Sequence, residues 1–180
     1  MNKKPQILSS KLVAETKLFA VEELHLRFSN GEERFFERTR GRRGDSVMIV
    51  PLLDQDTVLL VREYGVGIED YFLGLPKGTV EPQENLFEAA NRELMEEVGF
   101  GAKHFQELKK LANSPAYSQG RMQLLLAKDL YPAKLEGDEP ETIEVVPWCL
   151  SDLSALIKQD DFMEARSIAA LYLIRDLLHG

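Results

Sequence analysis

Hydrophobic and polar positions alternate between residues 17 and 40, with Leu24, Leu26 and Phe28 before Asn30-Gly31 and Phe35 after it. A period of two is the signature of a half-buried strand. Asn-Gly between two such runs predicts a hairpin on a type I′ turn, whose central positions both take positive φ. Two more strands are expected over residues 47–53 and 57–63, joined across Asp54-Gln55-Asp56. The period then lengthens: Leu86, Ala90, Leu94 and Val98 recur every fourth residue, with Phe87 and Ala89 widening the stripe, which predicts an amphipathic helix over residues 86–98. Asn85 and Glu88 have the spacing of a capping box, and Gly99 sits where a left-handed cap would end the helix. Strands are expected near residues 108–112, 122–127 and 143–149. A short helix follows from a cap at Ser151, and a longer amphipathic one, about residues 162–178, carries Ile168, Leu171, Tyr172, Ile174 and Leu178. Strands on both sides of a central helix, with another helix at the end, predict a mixed α/β sandwich. Residues 1–45 read as a small N-terminal antiparallel β unit and residues 46–180 as the main domain.

Composition narrows the function. At 180 residues and 44% hydrophobic content the chain can bury one sizeable core. A net charge of −8 argues against nucleic acid and anionic membrane as partners. The single cysteine, Cys149, rules out a disulfide framework within the chain and fits a reducing compartment. No apolar run approaches the length of a membrane span or a secretory leader, so a soluble, cytoplasmic protein is expected.

The chemistry concentrates between Gly78 and Phe100. Glu93, Glu96 and Glu97 fall outside the apolar stripe of the expected helix, and residues three and four apart are neighbours on its surface. Side by side in water such carboxylates repel by a few tenths of a kcal/mol per pair. A hard cation reverses that sign. Magnesium takes oxygen ligands, and the cluster contains neither histidine nor cysteine. A glutamate-rich helix face is by default a solvated one. Two features pull the other way: Lys77 and Gly78 form a turn whose backbone can approach a ligand closely, and Arg92 stands four residues from Glu88 and from Glu96, with Glu84 in the preceding loop.

Gly78, Glu84, Arg92, Glu93, Leu94, Glu96, Glu97, Gly99 and Phe100 match every fixed position of the Nudix box, and the segment resembles the loop-helix-loop of Nudix hydrolases. Pro115, sixteen residues after Gly99 within SPAYS, and the segment REYGV (residues 62–66) are similar to the ADP-ribose pyrophosphatase branch. The runs SNGEERFFERTR and LEGDEPE resemble bacterial members of that branch. The resemblance implies the Nudix fold, mixed β-sheets sandwiched by helices, and hydrolysis of the pyrophosphate bond in ADP-ribose and similar ADP-linked compounds, giving AMP and a second phosphate. It implies Mg2+, with Mn2+ as a substitute, held by Glu93, Glu96, Glu97 and the Lys77 carbonyl, while Arg92 and Glu84 orient the ligands. A base would come from the acidic loop carrying Glu136, Asp138, Glu139, Glu141 and Glu144, with Glu139 the first choice and Glu141 the second. Among the arginines at 38, 40, 42 and 43, a turn that reads also as merely solvated, Arg40 is the choice for substrate, together with Arg62 and the Gly78 backbone. Tyr64, Tyr117 and Phe36 are candidates to stack on adenine, against a default role in the core. A homodimer with an exchanged N-terminal unit is also implied. Competing readings are NADH, diadenosine polyphosphates, FAD or an oxidised nucleotide as substrate, or a non-catalytic nucleotide sensor.

Overall fold

The computed structural model describes residues 3–40 and 45–179, and these fall into two compact units. Arg42 and Arg43 lie outside the described residues. The first unit comprises the chain before Asp45 together with Ala112–Arg121. Its strands β1 (Gln6–Glu15), β2 (Ala20–Arg27) and β3 (Glu33–Arg40) form an antiparallel sheet in the order β1-β2-β3. Strand β1 was not expected. It is exposed along almost its whole length, so no alternation marks it in the sequence. The β2–β3 hairpin exists, but its turn is not type I′: among Asn30 and Gly31 only the glycine has positive φ, at 88°. Gly31 N donates to the Phe28 carbonyl (3.0 Å) and Phe28 N to that of Glu32 (2.8 Å), while the Asn30 side chain accepts from Glu32 N (3.1 Å). One left-handed glycine after a tight turn is the longer hairpin loop, in which asparagine serves as a side-chain acceptor instead of a second left-handed residue. The 112–121 segment docks on β3, with Thr39 N donating to Tyr117 O (2.7 Å) and Gln119 N to Thr39 O (3.1 Å).

The second unit, Asp45–Leu111 and Met122 onward, contains two sheets. One is mixed, in the order β7 (Lys77–Thr79), β4 (Ser46–Pro51), β9 (Arg121–Pro132), β8 (Phe100–Ala112), with β4 and β9 parallel. The other is antiparallel, in the order β10 (Glu144–Cys149), β5 (Thr57–Gly65), β6 (Asp70–Gly74). Strands β4 and β5 are buried on both faces, and their side chains divide alternately between two cores. Val47, Ile49, Leu59 and Val61 pack with Ala89, Ala90, Leu94 and Val98 of the box helix. Met48, Val50, Val58 and Leu60 pack with Leu150, Phe162, Leu171 and Ile174 at the C-terminal end. Helical layers on either side of packed sheets give the expected α/β/α sandwich.

Two details of the C-terminal segment differ from expectation. Ser151 is not a helix cap. Its N–H and hydroxyl both donate to the Asp56 carboxylate (2.9 and 2.6 Å), and the short helix α2 (Leu153–Leu156) starts two residues later, after a 3-10 turn. The last helix, α3 (Ala165–His179), begins after Phe162 and leaves Tyr172 outward. Glu164 caps it, accepting from Ser167 N and from the Ser167 hydroxyl, each at 2.7 Å, while Leu75 N donates to Ser167 Oγ at 2.9 Å. No helix among the described residues is long and apolar enough to cross a membrane.

Candidate active site

Asn85 closes the expected capping box: its side chain accepts from Phe87 N and Glu88 N, while Glu88 reaches back to Asn85 N at 2.9 Å. The helix that follows changes pitch. Helix α1 runs Leu86–Glu93, then Leu94–Val98 continues as a π turn ending on Gly99 at φ 78°. Gly99 N donates to Leu94 O, five residues back, so the Met95 carbonyl is released from the helix ladder. That carbonyl instead accepts from Leu135 N (3.1 Å), and the Gly99 carbonyl accepts from Ala133 N (3.1 Å). The helix end thereby fixes the start of the acidic loop.

The residues facing inward also differ from expectation. Glu93 and Glu97, expected on an open helix face, are buried, with 8% and 7% of their surface exposed, whereas Phe87, expected in the stripe, is exposed. Burial pushes the Glu93 carboxyl up, against the pull of the neighbouring Arg92, with the charges of Glu96 and Glu139 adding to the rise. Glu97 is pushed up to about 8 by burial, which outweighs the opposing charge of Lys77, with the charges of Glu63 and Glu93 adding smaller rises. Glu97 accepts from Lys77 N at 3.2 Å, and the Lys77 ammonium pairs with Glu63. Gly78 is required here by contact. A Cβ at that position would lie 1.9 Å from the Glu93 carboxylate.

Arg92 is the hub of the box. Its Nε donates to Glu84 Oε1 (2.8 Å), Nη1 to Glu96 Oε2 (2.8 Å), and Nη2 to Glu84 Oε2 (3.2 Å) and to the Thr79 carbonyl (3.0 Å); Nη1 also lies 2.9 Å from Glu93 Oε1. The guanidinium holds Glu84 below the usual carboxylate range, and its own proton is bound more tightly in return. Among the described residues no three carboxylate, imidazole or thiolate side chains stand together as a ready chelating group. The fork of Arg92 explains the spread, since it draws oxygens of Glu93 and Glu96 to itself.

A cleft of about 440 Å3 joins the helix to the acidic loop, lined by Glu96 and Glu97 on one side and by Glu136, Glu139 and Glu141 on the other. Glu139 folds over Gly137, where a Cβ would lie 2.1 Å from its carboxylate. A second cleft of about 340 Å3 adjoins it, sharing Glu139 and Glu141 and adding Arg62, Tyr64 and Tyr71. Arg62 donates to Glu144 Oε2 at 2.8 Å and pairs with Asp161, so its fork is already engaged on one side of that cleft. Tyr64 is exposed and meets Tyr71 edge-on, with ring centroids 5.5 Å apart. Tyr71 donates its hydroxyl to Glu141 Oε1 at 2.6 Å. Arg40, Phe36 and Tyr117 belong to the first unit, where all three are exposed, and Pro115 lies in the Ser114–Ser118 turn beside Arg38 and Gln119. Glu63, Tyr71 and the Thr79 carbonyl were not anticipated. Glu63 shows only as one more polar residue in REYGV, and Tyr71 sits on β6, a strand too short to leave a period.

The architecture and the acidic helix agree with what known proteins show. Residues 42–171 match the NUDIX domain, and residues 5–38 match the NudE-type Nudix hydrolase N-terminal domain. The chain belongs to the Nudix hydrolase family and is a pyrophosphohydrolase. It is 50% identical over 177 residues to the ADP compounds hydrolase NudE of Escherichia coli (strain K12), across 98% of this chain and 95% of that protein. It is 25% identical over 173 residues, 91% of each chain, to an ADP-ribose pyrophosphatase of Bacillus subtilis (strain 168). A crystal structure of an ADP compounds hydrolase superposes with a TM-score of 0.90 at 49% identity, covering 99% of this chain and 96% of that one.

Nudix hydrolases generally need a divalent metal. The residues present fit one. Donors at the site are all oxygens, Glu93 and Glu97 are buried carboxyls whose charge a bound cation would offset, and the bare Gly78 backbone lets the Glu93 carboxylate lie directly against it.

Proposed function

We propose that this protein hydrolyses the pyrophosphate bond of ADP-linked compounds, ADP-ribose and its analogues, releasing AMP and a second phosphate such as ribose 5-phosphate. The observation that carries the reading is a cleft in which Glu96 and the buried Glu97 of the box face an acidic loop, and the 50% identity to an ADP compounds hydrolase supports the substrate class. One phosphoanhydride P–O bond breaks, water supplies the new P–O bond, and the water's proton must be taken up.

In this reading Glu93, Glu96, Glu97 and the Lys77 carbonyl hold Mg2+, which neutralises charge on the phosphoryl oxygens when bound. Arg92 and Glu84 aim those ligands. Glu139 takes the proton from water. Glu141, the other candidate from the sequence, lines the same cleft. Arg62 and Tyr64 flank the bound substrate beside Gly78. A cytoplasmic homodimer completes the proposal.

Incubation of purified protein with ADP-ribose and Mg2+ is expected to release AMP. Turnover of none of ADP-ribose, NADH, diadenosine polyphosphates or FAD would favour a nucleotide sensor, and the ranking of catalytic efficiencies across that panel would identify the preferred substrate.

A further inference from the structure

The acidic loop presents two glutamates to one cleft, and their surroundings differ. Glu141 is bonded: the Tyr71 hydroxyl donates to its Oε1 at 2.6 Å, within the range of a short, charge-assisted bond. Tyr71 is itself held in β6, opposite Tyr64 of β5, so this donor stands on a paired strand and not on another loop. The other end of the loop is tied to the π turn through Leu135 N and the Met95 carbonyl. Glu139 lies between the two ties. No donor among the described residues bonds it, and its charge acts on Glu93.

We propose that Tyr71 is a positioning residue for the hydrolysis, its hydroxyl fixing Glu141 as a strut so that the loop presents Glu139 to the carboxylates of the box helix. This rests on the pyrophosphatase reading above and gives separate work to the two candidate bases, of which the sequence already favours Glu139. Glu141 bears on the position of the loop, and Glu139 on the water.

The test has one arm that needs no substrate. In Tyr71→Phe, which keeps the ring and removes the donor, amides of residues 136–142 are expected to exchange hydrogen about tenfold faster while the rest of the molecule exchanges as before. In the kinetic arm, kcat of Tyr71→Phe falls about tenfold, with KM for ADP-ribose held within about twofold. Glu141→Ala falls to a similar level, and the double variant falls no further than Glu141→Ala alone, because both remove one bond. Glu141→Gln keeps an oxygen that accepts from Tyr71 and loses less than Glu139→Gln, which drops by about a hundredfold or more. Unchanged exchange in Tyr71→Phe, additive losses in the double variant, or an equal loss for Glu141→Gln and Glu139→Gln would each overturn the proposal. If the unaltered enzyme hydrolyses no ADP-linked compound, the functional reading fails by itself, and the exchange arm still decides whether Tyr71 orders the loop.

Discussion

Glu97 is nearly buried, and in the ligand role proposed for it the carboxyl would have to serve as an anion. With the carboxyl pushed up to about 8 by its surroundings, a neutral amide of the same shape should suit the folded chain at least as well. Glu97→Gln is therefore expected to melt no lower than the unaltered protein while losing about a hundredfold or more in turnover, because the metal loses a charged ligand. A melting curve and a Mg2+-dependent rate measure the two separately. Wild-type turnover would remove Glu97 from the ligand set. Gly78 makes the complementary case from the backbone side: Gly78→Ala adds one methyl group 1.9 Å from the Glu93 carboxylate. The side chain of Glu93 must swing away, at an expected loss of about 10–100-fold in activity with the circular dichroism spectrum unaltered. Both residues are legible in the sequence by spacing. The burial of Glu93 and Glu97 is not, because side-chain period assigns an acid to the wet face unless something else pays for its charge.

At the scale of elements, the π turn is where an ideal helix misleads. Residues 86–98 count as one helix by capping and period, and both caps are where they were expected. The period of 3.6 cannot reveal that the last turn widens to release the Met95 carbonyl, since that carbonyl's partner, Leu135, is forty residues away. Strands β1, β6 and β7 were missed for related reasons: one lies exposed, and two are too short for alternation to register. Ser151 shows the converse. A residue with good capping chemistry was recruited by Asp56, which no local pattern announces. The cap of α3 supports a quantitative expectation. Burial by itself would raise Glu164, but bonds from Ser167 and Arg166 outweigh it and hold the carboxyl below its ordinary value. A carboxyl lowered on folding adds stability above the unfolded value of about 4.5, and that stability is lost as pH falls through the folded value. Lowering pH from about 6 to about 4 should thus cost the unaltered protein more in melting temperature than Glu164→Gln, whose capping bond does not titrate. Parallel curves would show that the cap is not what titrates.

For the whole molecule, the first unit carries an unusual burden of uncovered surface. Strand β1 is a ten-residue edge, and Ile7, Leu12, Val13, Phe19 and Phe35 are all about half exposed or more. Long edges and apolar patches of this kind are normally paired or covered. Sedimentation at twice the 20.5 kDa of one chain is the expected result, and Leu12→Lys should shift the population toward the single-chain mass. A wild-type protein sedimenting as one chain would rule out the dimer. Strand β4 has a different consequence for tolerance to change. Successive side chains serve opposite cores, Val47 and Ile49 under the box helix, Met48 and Val50 toward the C-terminal helix. Inserting one amino acid in the middle of that strand would swap the downstream half of both inventories at once, setting each bulky group against a space shaped for its neighbour. Length variation in relatives of this chain should accordingly accumulate at turns such as Asp54-Gln55-Asp56 and avoid β4 altogether.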